Sequence, residues 1–95
     1  MIISSMKQKI LDSIKDFYNL CYTMFKLSAG DFAKNNFPAI VERFWDENKS
    51  DEDNLKSIKS AFELEKRLQE NNGGTKAAEV IAAFQEGWLI NVKLK

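Results

Sequence analysis

Residues 6 to 27 carry apolar side chains in two overlapping heptad phases, and this pattern constrains the fold more than any other feature. The first phase comprises Ile10, Ile14, Phe17, Cys21 and Met24, and the second comprises Leu11, Ile14, Tyr18, Cys21 and Phe25. Steps of three and four residues keep side chains on one helical face. Together the phases cover about half the circumference, more than the ~100° stripe of an ordinary surface helix. Such a helix needs partners on two sides, which predicts a helical bundle around it.

The next segment is predicted to interrupt the helical pattern before a second helix begins. Gly30 favours a left-handed helix stop, and Asp31 is suited to cap whatever follows. We expect a short extra turn over residues 32–36. Pro38 is well suited to the first position of a helix, because proline lacks the N–H that would be unpaired there. The second helix should therefore run from Pro38 to about Asn48.

Two further helices are predicted in the second half of the chain. Ser50 is a suitable N-cap for a third helix that ends near Glu70, where two asparagines and two glycines follow. Thr75 is a suitable cap for a fourth helix that ends near Gly87. The side chains expected to face the core in these helices are Leu55, Ile58, Ala61, Phe62, Leu68, Ala77, Val80, Ile81, Phe84 and Trp88.

These patterns describe one all-α domain over residues 1–95, a compact bundle of four main helices with a short extra turn and an irregular or extended C-terminal tail. In that tail, Ile90, Val92 and Leu94 alternate with polar residues, which is strand periodicity. An extended segment alone exposes unpaired backbone groups. We therefore expect association through this tail, either as a homodimer or by strand addition to a partner. The alternatives are pairing with residues 1–4 and lying unpaired across the bundle with the apolar side down.

The composition excludes most catalytic and metal-binding chemistry. The chain has no histidine and one cysteine, Cys21, so it lacks a histidine base, a Cys-His pair and any imidazole ligand. The acidic run from Asp46 departs from a calcium loop at positions 6 and 12, which are Asp51 and Ser57. The Gly73–Lys76 sequence lacks the earlier glycine and the preceding strand of a phosphate loop. We expect no enzyme activity, no cofactor and no metal.

The N-terminal residues also lack the pattern of a secretory signal. They have no basic flank followed by a long apolar run. The longest largely apolar run, Phe17 to Phe25, is about half the length needed to span a bilayer. We expect a cytoplasmic protein without a membrane partner.

Aromatic residues are concentrated in the first half of the chain, where eight of eleven lie between positions 17 and 45. Aromatic side chains left at a surface are favoured anchors of protein interfaces. The acidic segment that follows could meet a basic partner. These features predict a small non-catalytic module that binds another protein, of the inhibitor, immunity, chaperone or assembly-subunit type. The candidate interface residues are Tyr22, Phe37, Trp45, Asp46, Glu47 and Asp51.

A nucleic-acid-associated regulator is the alternative hypothesis, because the first segment has a small excess of basic residues. The lysines available to it are Lys7, Lys9, Lys15, Lys26 and Lys34. It ranks second because only eight residues follow Gly87, too few for a recognition helix. Salt dependence separates the hypotheses, since affinity based on phosphate contacts falls steeply with salt.

Overall fold

The computed structural model of the chain describes residues 5–24 and 27–89. Within these ranges the chain forms four helices and no strand, which confirms the predicted all-α bundle. The helices are α1 (Ser5–Thr23), α2 (Leu27–Phe44), α3 (Asp51–Asn71) and α4 (Thr75–Gly87). The tail predicted to be extended, residues 90–95, lies outside the described residues. No helix in the described ranges is both long and apolar enough to cross a bilayer.

The helices form two hairpins that share one core. The chain pairs α1 with α2 and α3 with α4, and α2 contacts both helices of the second hairpin. Seven of the side chains at apolar positions of the predicted first, third and fourth helices are all 7% exposed or less. They are Ile14, Phe17, Cys21, Ile58, Phe62, Ile81 and Phe84. The predicted phases of α1, α3 and α4 are therefore correct at their central positions.

Phenylalanine rings fill the centre of this core. Phe37 of α2 is fully buried. Its ring centroid lies 5.0 Å from that of Phe62, 5.1 Å from that of Phe84 and 6.0 Å from that of Phe17. Stacked, tilted and edge-on ring pairs at these separations add to the energy of burying the apolar surface. Phe37 thus ties α2 to the other three helices.

The predicted break before the second helix is wrong, because α2 runs without interruption from Leu27 to Phe44. The predicted extra turn over residues 32–36 is part of this helix. Pro38 lies in the helix interior, where it has no N–H to donate to the carbonyl of Lys34. Ala33, Phe37 and Val41 are all buried, so one continuous apolar face spans the proline. Packing of that face against the other helices outweighs the local preference of Gly30 to end a helix and of Pro38 to begin one.

Gly30 serves close packing between α1 and α2 instead of ending a helix. It is buried within α2. A Cβ atom built on it would lie only 2.6 Å from Cε1 of Tyr22. The absence of a side chain lets the Tyr22 ring lie directly against the backbone of α2.

Two smaller predictions for the second hairpin are also corrected. Ser50 caps α3 as expected, and its Oγ accepts a hydrogen bond of 3.1 Å from the backbone N–H of Asp53. Thr75, however, is the first residue of α4, and Gly74 holds the N-cap position without a side-chain bond. Leu68 was expected in the core but is exposed, because it lies on the flank of α3.

Replacing Gly30 with alanine is expected to lower the free energy of unfolding by about 1 to 3 kcal/mol, because the new methyl group overlaps the Tyr22 ring. Inside a helix the same exchange normally stabilises by about 0.5 to 1 kcal/mol. Gly87→Ala is the matched control, since nothing lies within 4 Å of a Cβ atom there. Urea unfolding followed by circular dichroism measures both. A Gly30→Ala protein as stable as the Gly87→Ala protein would contradict the close approach.

Candidate functional site

The structure divides the predicted interface residues between core and surface. The prediction for Phe37 is wrong, because the side chain lies on the buried face of α2 and no partner can reach it. Tyr22 and Trp45 are half-buried, whereas Glu47 and Asp51 are exposed. Among the described aromatic residues, Phe44 is the most exposed.

Tyr22 belongs to the joint between α1 and α2. Its ring packs beside Gly30, and its hydroxyl donates a hydrogen bond of 2.8 Å to Oδ1 of Asp31. This bond to the carboxylate raises the pKa of the Tyr22 hydroxyl, because it stabilises the protonated form. Asp31, expected as a helix cap, is instead the acceptor of this bond. These contacts make Tyr22 part of the hairpin instead of a free interface anchor.

Asn54, which the sequence analysis did not single out, fixes the acidic loop between α2 and α3. It is the one buried polar residue of the described chain. Its Oδ1 accepts a 2.9 Å bond from the backbone N–H of Asp46, and its Nδ2 donates a 2.9 Å bond to the carbonyl of Asp46. The Asp46 carboxylate accepts a bond from the backbone N–H of Asn48. The loop is therefore held by the Asn54 side chain, which binds both backbone polar groups of Asp46.

An exposed apolar strip lies beside this loop, and we call it the α3 strip. It consists of Phe44, Leu64 and Leu68, which are 41%, 56% and 46% exposed, together with the small side chains between them. Phe44 and Leu64 share a depression of about 360 Å³. The other residues that line it are Lys56, Ser57, Ser60 and Ala61. Phe44 and Leu64 thus line one depression, and Leu68 is exposed one turn further along the same face of α3.

Acidic residues lie at one end of the α3 strip. At about 100° per residue, Asp53, Ser57, Ser60, Leu64 and Leu68 all fall within an arc of about 80° on one face of α3. Asp53 is exposed one turn before Ser57, and Asp51 and Glu52 are exposed in the same first turn. Acidic groups are favoured at this helix end by the dipole. The surface therefore runs from an acidic end to an apolar end.

A second apolar concavity, which we call the α1–α4 groove, lies on another side of the bundle. It has a volume of about 570 Å³. Its walls include Leu20 and Met24, which are 42% and 59% exposed, and the buried side chain of Cys21. The remaining lining residues are Phe17, Ser28, Ala29, Lys76, Glu79, Val80, Ala83 and Trp88. The groove follows α4 from Lys76 at one end to Trp88 at the other.

The lysines of the first segment do not form a basic face in the part of the chain that the structure describes. The side chains of Lys7, Lys9 and Lys15 point in directions about 80° to 160° apart around α1. Lys7 also forms an ion pair with Glu42, with 3.1 Å between Nζ and Oε2. Lys34 is exposed on α2, and Lys26 lies outside the described residues. A phosphate backbone would meet scattered charges here.

Within residues 5–24 and 27–89, no group of three or more acidic, cysteine or histidine residues is arranged to hold a metal ion. Comparisons with protein-family models, with curated proteins and with solved structures find no match for the chain.

Proposed function

We propose that this protein is a small non-catalytic module that binds another protein through the α3 strip. The observation that carries the proposal is the exposure of Phe44, Leu64 and Leu68 on one surface. Apolar side chains clustered at a surface are typical of interaction sites. An aromatic residue among them is a favoured anchor, because it gains most from being buried by a partner.

The charge beside the strip supports a partner with a basic edge. The segment from Asp46 to Asp53 contains five acidic residues and one lysine. Ion pairs at the rim of an interface mainly steer association and set orientation, while the apolar contacts supply affinity. A partner segment with apolar residues followed by lysine or arginine would match both ends of the surface.

An inhibitor, immunity factor, chaperone or assembly subunit would each use such a surface without chemistry of its own. We propose a cytoplasmic location, which suits a sequence whose one cysteine cannot form a disulfide within the chain. The alternative, a nucleic-acid-associated regulator, has less support because its lysines are scattered. A steep loss of affinity with salt would favour that alternative.

The proposal is tested by capturing partners from the native host with the wild-type chain and with a Leu64→Ser, Leu68→Ser double variant. We expect the specific partner to be lost from the variant, with affinity reduced about 30-fold or more if these leucines anchor the interface. Because both side chains are exposed, the variant should keep its helical content and unfolding midpoint.

The matched control is a Leu20→Ser, Met24→Ser double variant, which removes two exposed apolar side chains from the α1–α4 groove instead. This control should retain the partner. Equal capture by the wild-type chain and the α3-strip variant would contradict the proposal.

A further inference from the structure

We propose that the α1–α4 groove is the docking site of the chain's own C-terminal segment, residues 90–95. This site is separate from the α3 strip and does not depend on the function proposed for that strip.

The chain leaves α4 at one end of the groove. The helix ends at Gly87, and the next residue, Trp88, itself lines the groove. The Trp88 ring lies 6.2 Å from the ring of Phe17, between centroids, on the opposite wall. Residue 90 therefore lies only two positions after Trp88, whose side chain lines the groove.

The segment has the length that the groove requires. The 13 residues of α4 span about 20 Å at 1.5 Å per residue. Residues 90–95 in extended form also span about 20 Å, at about 3.3 Å per residue. Docking requires the chain to reverse after Leu89, whose side chain lines a separate concavity with Lys59 and Glu63 of α3. The segment then runs back along α4 from Trp88 to Lys76.

The pattern of the segment matches the lining of the groove. Side chains of an extended chain alternate between two faces, so Ile90, Val92 and Leu94 share one face and the two lysines share the other. The first face would cover the exposed Leu20 and Met24. The lysines would remain in solvent, within reach of the exposed Glu79 at the groove edge.

Docking within one chain is favoured over docking on a second copy. A segment tethered two residues from its site has an effective concentration in the millimolar range. A second copy at micromolar concentration competes poorly with it. The sequence pattern alone favoured association between molecules over packing of the tail across its own bundle, whereas a groove that begins at Trp88 favours packing within the chain.

The native Cys21 provides the test, because it is the only cysteine and it lines the groove. Single cysteines are introduced in the full chain at positions 90 to 95, and each variant is oxidised mildly. A disulfide requires Cα atoms within about 7 Å. Non-reducing mass spectrometry distinguishes links within one chain from links between chains.

We expect Ile90→Cys, Val92→Cys or Leu94→Cys to form an intrachain link with Cys21. This link should form on the order of 100-fold faster than links between chains at about 10 µM protein, given a millimolar effective concentration. Asn91→Cys and Lys93→Cys are the matched controls, because their side chains face away from the groove, and both should react much more slowly. Adding Cys21→Ser should abolish the product.

Three results would overturn the inference. They are equal rates at even and odd positions, no link at any position, and links only between chains. The last result would assign the groove to a second copy of the chain. Circular dichroism of each variant shows whether the bundle is intact. Because the substituted positions follow the last described helix, the helical signal should be unchanged.

Discussion

Phe37→Ala is expected to lower the free energy of unfolding by about 3 to 5 kcal/mol, the range seen when a buried phenylalanine is truncated. Phe37 is fully buried and its ring contacts the rings of Phe17, Phe62 and Phe84. Truncation leaves a cavity where all four helices meet. Because these neighbours belong to three helices, the structure cannot collapse around the cavity by moving one element.

Phe44→Ala is the matched control for this prediction. Phe44 lies two turns further along α2 on the same line of side chains but is 41% exposed. Its truncation should lower the free energy of unfolding by only about 1 to 2 kcal/mol, since much of the side chain is already in solvent and no enclosed cavity is left. Urea unfolding followed by tryptophan fluorescence gives both values. A similar loss for the two variants would show that Phe37 is not the centre of the core.

Asn54→Ala is expected to lower the free energy of unfolding by about 2 to 3 kcal/mol, because it removes the partner of two backbone groups of Asp46. Replacing one member of a buried hydrogen-bonded pair costs more than the bond itself contributes, since the other member stays desolvated. The loop between Trp45 and Ser50 should lose its conformation first. Hydrogen exchange of the Asp46 amide, compared with amides of the core helices, measures that local effect.

Asn48→Ala is the control within the same loop. The Asn48 side chain is exposed, and it is the backbone N–H of this residue that binds the Asp46 carboxylate. Its removal should leave both stability and Asp46 exchange nearly unchanged. If Asn54→Ala behaved in the same way, the loop would be held by its backbone turn alone.

The parts of the fold that were predicted correctly are those set by local chemistry. The apolar line of α1 is fixed by its own spacing, and the start of α3 is fixed by the Ser50 cap. The α2 prediction failed because Gly30 and Pro38 are local stop signals, while the continuous helix depends on contacts with α1 and α3. Those contacts cannot be predicted from the residues that neighbour Gly30 and Pro38 in the sequence.

The candidate site was predicted only in part. The acidic residues beside the α3 strip were predicted as interface residues. Phe37 and Tyr22 were also predicted as interface residues because they are aromatic, but both pack within the bundle. The better signal lay in α3, where Leu64 and Leu68 fall outside the arc of Leu55, Ile58 and Phe62. The apolar residues of α3, like those of α1, cover a wider arc of the helix than the arc that is buried in the core. Asn54 left no signal, because asparagine near a helix start is common and its burial depends on the loop above it.

Amide chemical-shift mapping by NMR, with the captured partner added to the isotopically labelled chain, tests protein binding at the α3 strip most directly. We predict shifts concentrated between residues 44 and 68, largest at Ser57, Leu64 and Leu68, with little change at Leu20 or Val80. Shifts confined to α1 and α4, with none along the exposed face of α3, would contradict the proposed site.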